Sequence, residues 1–304
     1  MKFSVGKKPS KKHHYLPRCY LNGFTNSKNS FFVYDKQKDN VFLTNPGGAF
    51  FENNLNTVTF PEGDSSDLLE EAYTGIENQC WGSLNKIRES NHKTPIRLSD
   101  GMNLFLFLLF LHWRLPSNIE FVEILSEKAF VDNSEFDWFR LVNKSGEKAP
   151  KEVREIIKNS QAFKKAFKQI VPFVPFYKDE DWAARIVNWR FFYTGDNKIW
   201  NIVGDNPIIT RGDSDHDPVN CLNEFAFPVS GKILLVSINK PVNEVLPPAF
   251  AIEFNAAMIE RSQRFVACQN RDYLEDLIEY YKKVYVQFRK TNTIIPDMFK
   301  MLEK

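Results

Sequence analysis

The run Leu104-Phe105-Leu106-Phe107-Leu108-Leu109-Phe110-Leu111 constrains this chain more than any other stretch. With Leu98-Ser99-Asp100 ahead of it and Pro116 behind, it reads as one helix. Apolar residues surround that helix on nearly every side, so it must sit centrally and be covered all round. It is far shorter than the roughly 20 residues that cross a bilayer, and the polar residues His112 and Arg114 follow at once. A cation there suits the negative end of the helix dipole. At the edge of a dry core it is costly unless paired. Glu70, Glu77, Asp205 or a substrate phosphate could be the partner of Arg114.

The chain has 304 residues, enough for one large or two small cores, and its 28 phenylalanines predict a bulky aromatic interior. The net charge is +2, which excludes a polyanion binder that works by bulk field alone. Charge is concentrated locally: Lys2, Lys7, Lys8, Lys11 and Lys12 form a leader free of acids. Cys19, Cys80, Cys221 and Cys268 are far apart and make no CxxC pair, so a zinc knuckle or redox motif is not expected. Scattered thiols and the lack of an apolar leader lead to the expectation of a reduced, cytoplasmic protein with no membrane association.

Residues 1–12 read as a flexible basic arm, 13–288 as one domain and 289–304 as a tail. Pro17 keeps His13 to Leu16 extended and favours a short helix from Arg18 to Phe24. An extended backbone sends His13 and His14 to opposite sides. Phe31–Asp35 and Asn40–Thr44 flank a polar turn and predict a hairpin. Helices are expected from about 65 to 90, from 98 to 115, from 119 to 133, from 136 to 141 and from 152 to 170. From Trp189 onward the pattern turns β-like, with strands near 189–194, 199–203, 208–210, 225–229 and 232–238 and a turn at Gly195-Asp196-Asn197. The end of the chain reads as helix 255–264, strand 265–268 and helix 272–288. The fold class expected is therefore α+β: a helical N-terminal two-thirds with a small hairpin, an antiparallel sheet in the C-terminal third, and a closing helix.

Three features could carry chemistry. His13-His14 offers proton transfer near neutral pH or metal ligation, against the plain alternative of surface histidines after a lysine run. Gly204-Asp205-Asn206-Pro207 would hold a carboxylate at a strand end, although the same residues are ordinary turn chemistry. Arg114 with His112 is the third. There is no Walker A loop, GxGxxG, HExxH or GxSxG motif. The His-His-x-x-Pro opening is similar to the first strand of a His-Asn-His nuclease, but the helix from 65 to 90 carries no histidine to complete that module.

His13-His14-Tyr15-Leu16-Pro17, followed by Tyr20-Leu21 and Phe24, resembles the opening of the bacterial domain-of-unknown-function 4238 family. Further along, Glu70 and Glu77, Arg114-x-Pro116, Asp205-Asn206-Pro207, Phe227-Pro228-Val229, Asn255 and Arg264-Phe265-Val266 look like that family's later motifs in the same order. The likeness spans about 13 to 285. Gly204 departs from it, since a serine before the aspartate is more usual. The resemblance implies a bacterial, intracellular, single-domain protein of the accessory or phage-defence kind. It implies no established activity.

Two readings follow. In the first, the chain is a metal-assisted phosphodiester hydrolase, a nuclease-like toxin or defence effector. His13, His14, Arg114, Asp205 and Asn206 would be catalytic. Glu77 and Asp205 would hold Mg2+ or Mn2+, with no organic cofactor. Lys11, Lys12, Tyr15 and Arg18 would bind the substrate, and nucleic acid would be the partner. In the second, the protein is a non-enzymatic binding or sensor module, and the same groups form a structural network fixing the N-terminal segment to the core. Whether it is an enzyme is left open at this stage.

Overall fold

A computed structural model describes residues 11–59, 65–90, 96–131, 133–142, 145–194, 199–240, 243–288 and 294–303. The first ten residues of the expected arm and the turn at 195–197 lie outside the described residues. The strands are β1 Lys12–His14, β2 Phe31–Asp35, β3 Asn40–Thr44, β4 Phe51–Asn53, β5 Val58–Thr59, β6 Ser65–Ser66, β7 Trp189–Tyr193, β8 Val203–Gly204, β9 Ile209–Thr210, β10 Phe225–Ser230, β11 Ile233–Ser237 and β12 Phe265–Cys268. The helices are α1 Arg18–Leu21, α2 Leu68–Glu89, α3 Leu98–Arg114, α4 Ile119–Glu127, α5 Lys151–Lys158, α6 Gln161–Ala166, α7 Val174–Lys178, α8 Trp182–Val187, α9 Pro248–Arg261, α10 Arg271–Tyr280, α11 Val286–Phe288 and α12 Ile294–Lys300.

The expected segregation of helices and sheet does not hold. The chain is 48% helical and 18% strand, and its four antiparallel sheets, counted among the described residues, are spread along its length. One sheet runs β3-β2-β12-β8 and another β7-β11-β10-β9, while β1 pairs β4 and β5 pairs β6. The N-terminal hairpin thus shares a sheet with the late strand β12, in the register Phe32 opposite Cys268 and Tyr34 opposite Val266. The physical reason is that a lone two-stranded hairpin is marginal in water. Its Phe31 and Val33 must be buried, and a third strand supplies the paired backbone on which helices can pack.

Both faces of the central strands are dry. Phe225, Phe227, Ile233 and Leu235 enter the core around α3, whereas Ala226, Leu234 and Val236 enter the core under α9, α10 and α12. This explains why the segments read as continuous apolar runs instead of alternating ones. Met298, Phe299 and Leu302, in the segment read as a tail, are buried in the second core. From Leu104 to Arg114 helix α3 is buried at every position except Leu106, which is partly buried. Leu115, the residue before Pro116, is extended and ends it. Residues 136–138 form a turn and 139–141 are irregular, with no helix there, and the span 152–170 breaks into α5, α6 and a short 3-10 turn.

The opening segment is clamped by side chains from later in the chain. Tyr20 donates to the Pro228 carbonyl at 2.8 Å and stacks on Phe227 at 5.1 Å. Pro228 is tolerated within β10 because the strand bulges between Pro228 and Ser230. Arg88 reaches back from α2 and donates to the carbonyls of Cys19, Tyr20 and Val229, which places a cation at the C-terminal end of α1.

Candidate functional site

Strand β1 carries the two histidines, and its pairing with β4 sets His13 opposite Glu52 and His14 opposite Phe51. Alternation along the strand then separates the two rings. The His13 side chain is fully buried, and its Nδ1 accepts a hydrogen bond from the Asn56 amide at 2.8 Å. Accepting at Nδ1 puts the proton of the neutral ring on Nε2, which lies 3.7 Å from an Asp67 carboxylate oxygen. Asn56 is the hub of this cluster. Its side chain donates to Glu70 at 2.6 Å and accepts from the ammonium of Lys168.

Tyr73 connects that cluster to the end of α3. The Arg114 guanidinium lies 4.3 Å from the centre of the Tyr73 ring, and the Lys168 ammonium lies 5.8 Å from it. Arg114 donates to Glu77 at 2.7 Å and also to the main-chain carbonyl of His14. Glu70, Tyr73 and Glu77 stand at positions i, i+3 and i+7 of α2, so one helical face delivers all three. Only 3% of Arg114 is exposed. Its partner among the candidates is Glu77.

His14 faces the other way. Its ring sits 5.5 Å from Phe51, and the Lys12 ammonium stands 4.4 Å over the same ring. The Arg18 guanidinium packs on Gly47, leaving Nη2 only 2.9 Å from where a Cβ would be. Burial, then the charges of Arg18 and Arg114, push the His14 imidazole down to about 4, against a backbone hydrogen bond with Gly47. The ring is therefore neutral at physiological pH. Its Nε2 has no hydrogen-bond partner among the described residues, and the same holds for His13 Nε2, the Tyr73 hydroxyl and Arg114 Nε.

Asp205 belongs to a second network. It ends the short strand β8 and accepts from the Tyr15 hydroxyl at 2.8 Å, from the Phe265 amide at 2.8 Å and from the Arg264 amide. Burial pushes its carboxyl above the usual range, while those donors pull the other way. Asn206, with an unpartnered Oδ1, lines a cavity of about 170 Å³ beside Asp205, Tyr15, Glu52 and Arg264. Gly204 has a steric cause: a Cβ there would collide with the Ser262 hydroxyl, and Met258 Sδ would lie only 3.1 Å away.

Arg114 thus joins Glu77 to the main chain of His14, whereas Asp205 hydrogen-bonds Tyr15 and the amides of Arg264 and Phe265, and the cavity that it lines with Asn206 is also lined by Phe51, the ring neighbour of His14. The two networks are joined through the consecutive residues His14 and Tyr15. Tyr15 is buried, and Lys11, Lys12 and Arg18 are exposed. Glu77 and Asp205 occupy different hydrogen-bond networks, and the described residues contain no group of three or more His, Cys, Asp or Glu side chains arranged to hold a metal ion. The four cysteines are unbridged. No helix among the described residues is long and apolar enough to cross a membrane. Sequence reasoning missed Asn56, Tyr73 and Lys168. The spacing of Tyr73 between the two glutamates was a usable signal; Asn56 and Lys168 gave none.

A family model described as a protein of unknown function (DUF4238) matches residues 12–272. No curated protein and no solved structure matches the chain.

Proposed function

Because the chain belongs to the DUF4238 family of proteins of unknown function, we infer its function from its own side chains: it is a nucleic-acid-binding module that takes the phosphate backbone on the rim around His14 and Phe51. The observation that carries this reading is the placement of the exposed Lys12 and Arg18 beside that pair of rings. Basic groups grip phosphates by charge. Partly exposed aromatic rings give unstacked bases a platform worth roughly 1–3 kcal/mol per base. The buried Arg114 and Asp205 networks then have a positional role. They hold β1 and the segment after it against the core, so that the rim is preformed.

The test is fluorescence polarisation with a labelled single-stranded oligonucleotide over a salt series. Binding should weaken about tenfold or more in Arg18→Ala and in Phe51→Ala, and Arg18→Ala should also flatten the salt dependence by about one phosphate contact. Absence of binding at low salt overturns the reading.

A second reading, phosphodiester hydrolysis, is favoured by one observation: His14 is neutral and has a free Nε2 among cations. It would take the proton of an attacking water, while Arg18 meets the charge developing on phosphate. Any Mg2+ or Mn2+ ion would be held by the phosphate itself and by the Glu77 oxygen that does not accept from Arg114, since both oxygens of Asp205 accept hydrogen bonds. Cleavage of the same oligonucleotide with either ion present, lost in His14→Gln with binding retained, would support it. Intact oligonucleotide after long incubation would remove it.

A further inference from the structure

A second cavity, of about 440 Å³, opens between β5, α4 and α6. Val58, Ile119 and Val122 contribute apolar lining, and Lys164, Lys165 and Lys168 also line it. The three lysines are held differently. Lys164 pairs with Glu127 at 3.5 Å, toward the exposed rim. Lys165 donates to the main-chain carbonyls of Thr57 at 2.7 Å and Asn54 at 3.3 Å. Lys168, only 3% exposed, donates to the side-chain carbonyl of Asn56. These carbonyls accept hydrogen bonds from the ammonium groups but supply no countercharge. Among the described residues, no carboxylate makes an ion pair with Lys165 or Lys168.

A buried ammonium without a counter-ion is costly, and the apolar lining of the cavity cannot relieve that cost. We propose that this cavity is a binding site for a small amphipathic anion, a carboxylate with an aliphatic body, whose head group pairs with Lys168 and Lys165 and whose body lies on Val58, Ile119 and Val122. The volume is of the size that holds a small ligand. The charge around Lys168 agrees. Glu70 of α2 and Glu52 of β4 act on it favourably, while Arg114 of α3 and Lys165 of α6 oppose it. Burial, the largest influence, pushes its amine down to about 7. An arriving carboxylate raises the amine again, so binding above neutral pH must take up a proton.

The experiment is calorimetry of the full chain with octanoate, with octanol as the uncharged control, in two buffers of different ionisation enthalpy at mildly alkaline pH. Octanoate should bind with net proton uptake, octanol at least tenfold more weakly, and Lys168→Met should lose at least tenfold in octanoate affinity. Equal binding of octanol, unchanged affinity in Lys168→Met, or no octanoate binding each overturns the proposal. Should Lys168→Met not fold, Val122→Trp fills the apolar end and must lower the affinity for octanoate; retained affinity there is equally fatal. Octanoate and octanol binding are read without the oligonucleotide, and the Val122→Trp arm touches no residue of the rim or of the cluster around Asn56.

Discussion

Arg114, the last residue of α3, donates a hydrogen bond to the main-chain carbonyl of His14, one hundred residues earlier in the chain. A guanidinium from the driest helix of the protein thus fixes the position of the exposed strand that carries the rim.

That contact gives the first prediction. Arg114→Met leaves Glu77 and the His14 carbonyl without their donor, and removing one member of a buried ion pair costs roughly 3–5 kcal/mol. Arg114→Lys cannot reach both acceptors with fork geometry and should recover only part of the loss. Chemical denaturation of the three proteins measures this. A neutral Arg114→Met would show that the pair contributes nothing to holding β1.

Asp205 gives the second. Its oxygens accept from one hydroxyl and two amides. Asp205→Asn turns an NH2 group toward those donors. Tyr15→Phe alone removes one bond to a buried carboxyl, worth about 1.5–3 kcal/mol. The two changes should be non-additive in a double-mutant cycle, because they share that bond. Strict additivity would mean that the bond does not form in solution.

The third concerns pH. His112 is buried, its Nε2 lies 2.7 Å from the Asp215 carbonyl, and burial pushes its imidazole down to about 3. In the unfolded chain the ring protonates near the ordinary value of 6.5. Below that pH the unfolded state binds the extra proton, so the contribution of this group is complete above 6.5 and is lost as the pH falls toward 3. His14 adds to the same trend down to about 4. His112→Gln keeps a donor near Nε2 and removes the titration, so its stability should vary less between pH 6.5 and 4 than that of the natural chain. Parallel melting-temperature curves for the two proteins would count against this.

Gly204 supplies the fourth. Gly204→Ser must push against the Ser262 hydroxyl and Met258. Overpacking of this kind costs typically about 1–3 kcal/mol. Adding Ser262→Ala should return part of that loss, because the colliding hydroxyl is gone. An unaffected single variant would mean that α9 shifts freely at this point.

Several parts of the fold were legible beforehand, each for a local reason. The hairpin β2–β3 has the bounds its alternation and polar turn indicate. The helix α3 stops before Pro116 because proline restricts the residue ahead of it. The opposite orientation of His13 and His14 follows from the period of an extended strand. The candidate site was only half legible. His14, Arg114 and Glu77 could be picked out by type, but Asn56 lies in an irregular stretch and Lys168 is one of several lysines in a segment read only as helix.

By itself, then, the sequence determined which segments are helix or strand near its strongest patterns, the centrality of the Leu104–Leu111 run, and the family to which the chain belongs. The tertiary structure alone decided that β12 pairs with β2, that Arg114 chooses Glu77 over Glu70 or Asp205, and that Asp205 is spent on Tyr15 and two backbone amides. The reason is physical: local propensity and periodicity act over a few residues. Which strand completes a sheet, and which donor satisfies a buried carboxylate, depends on groups far apart in the chain that meet only when the core closes.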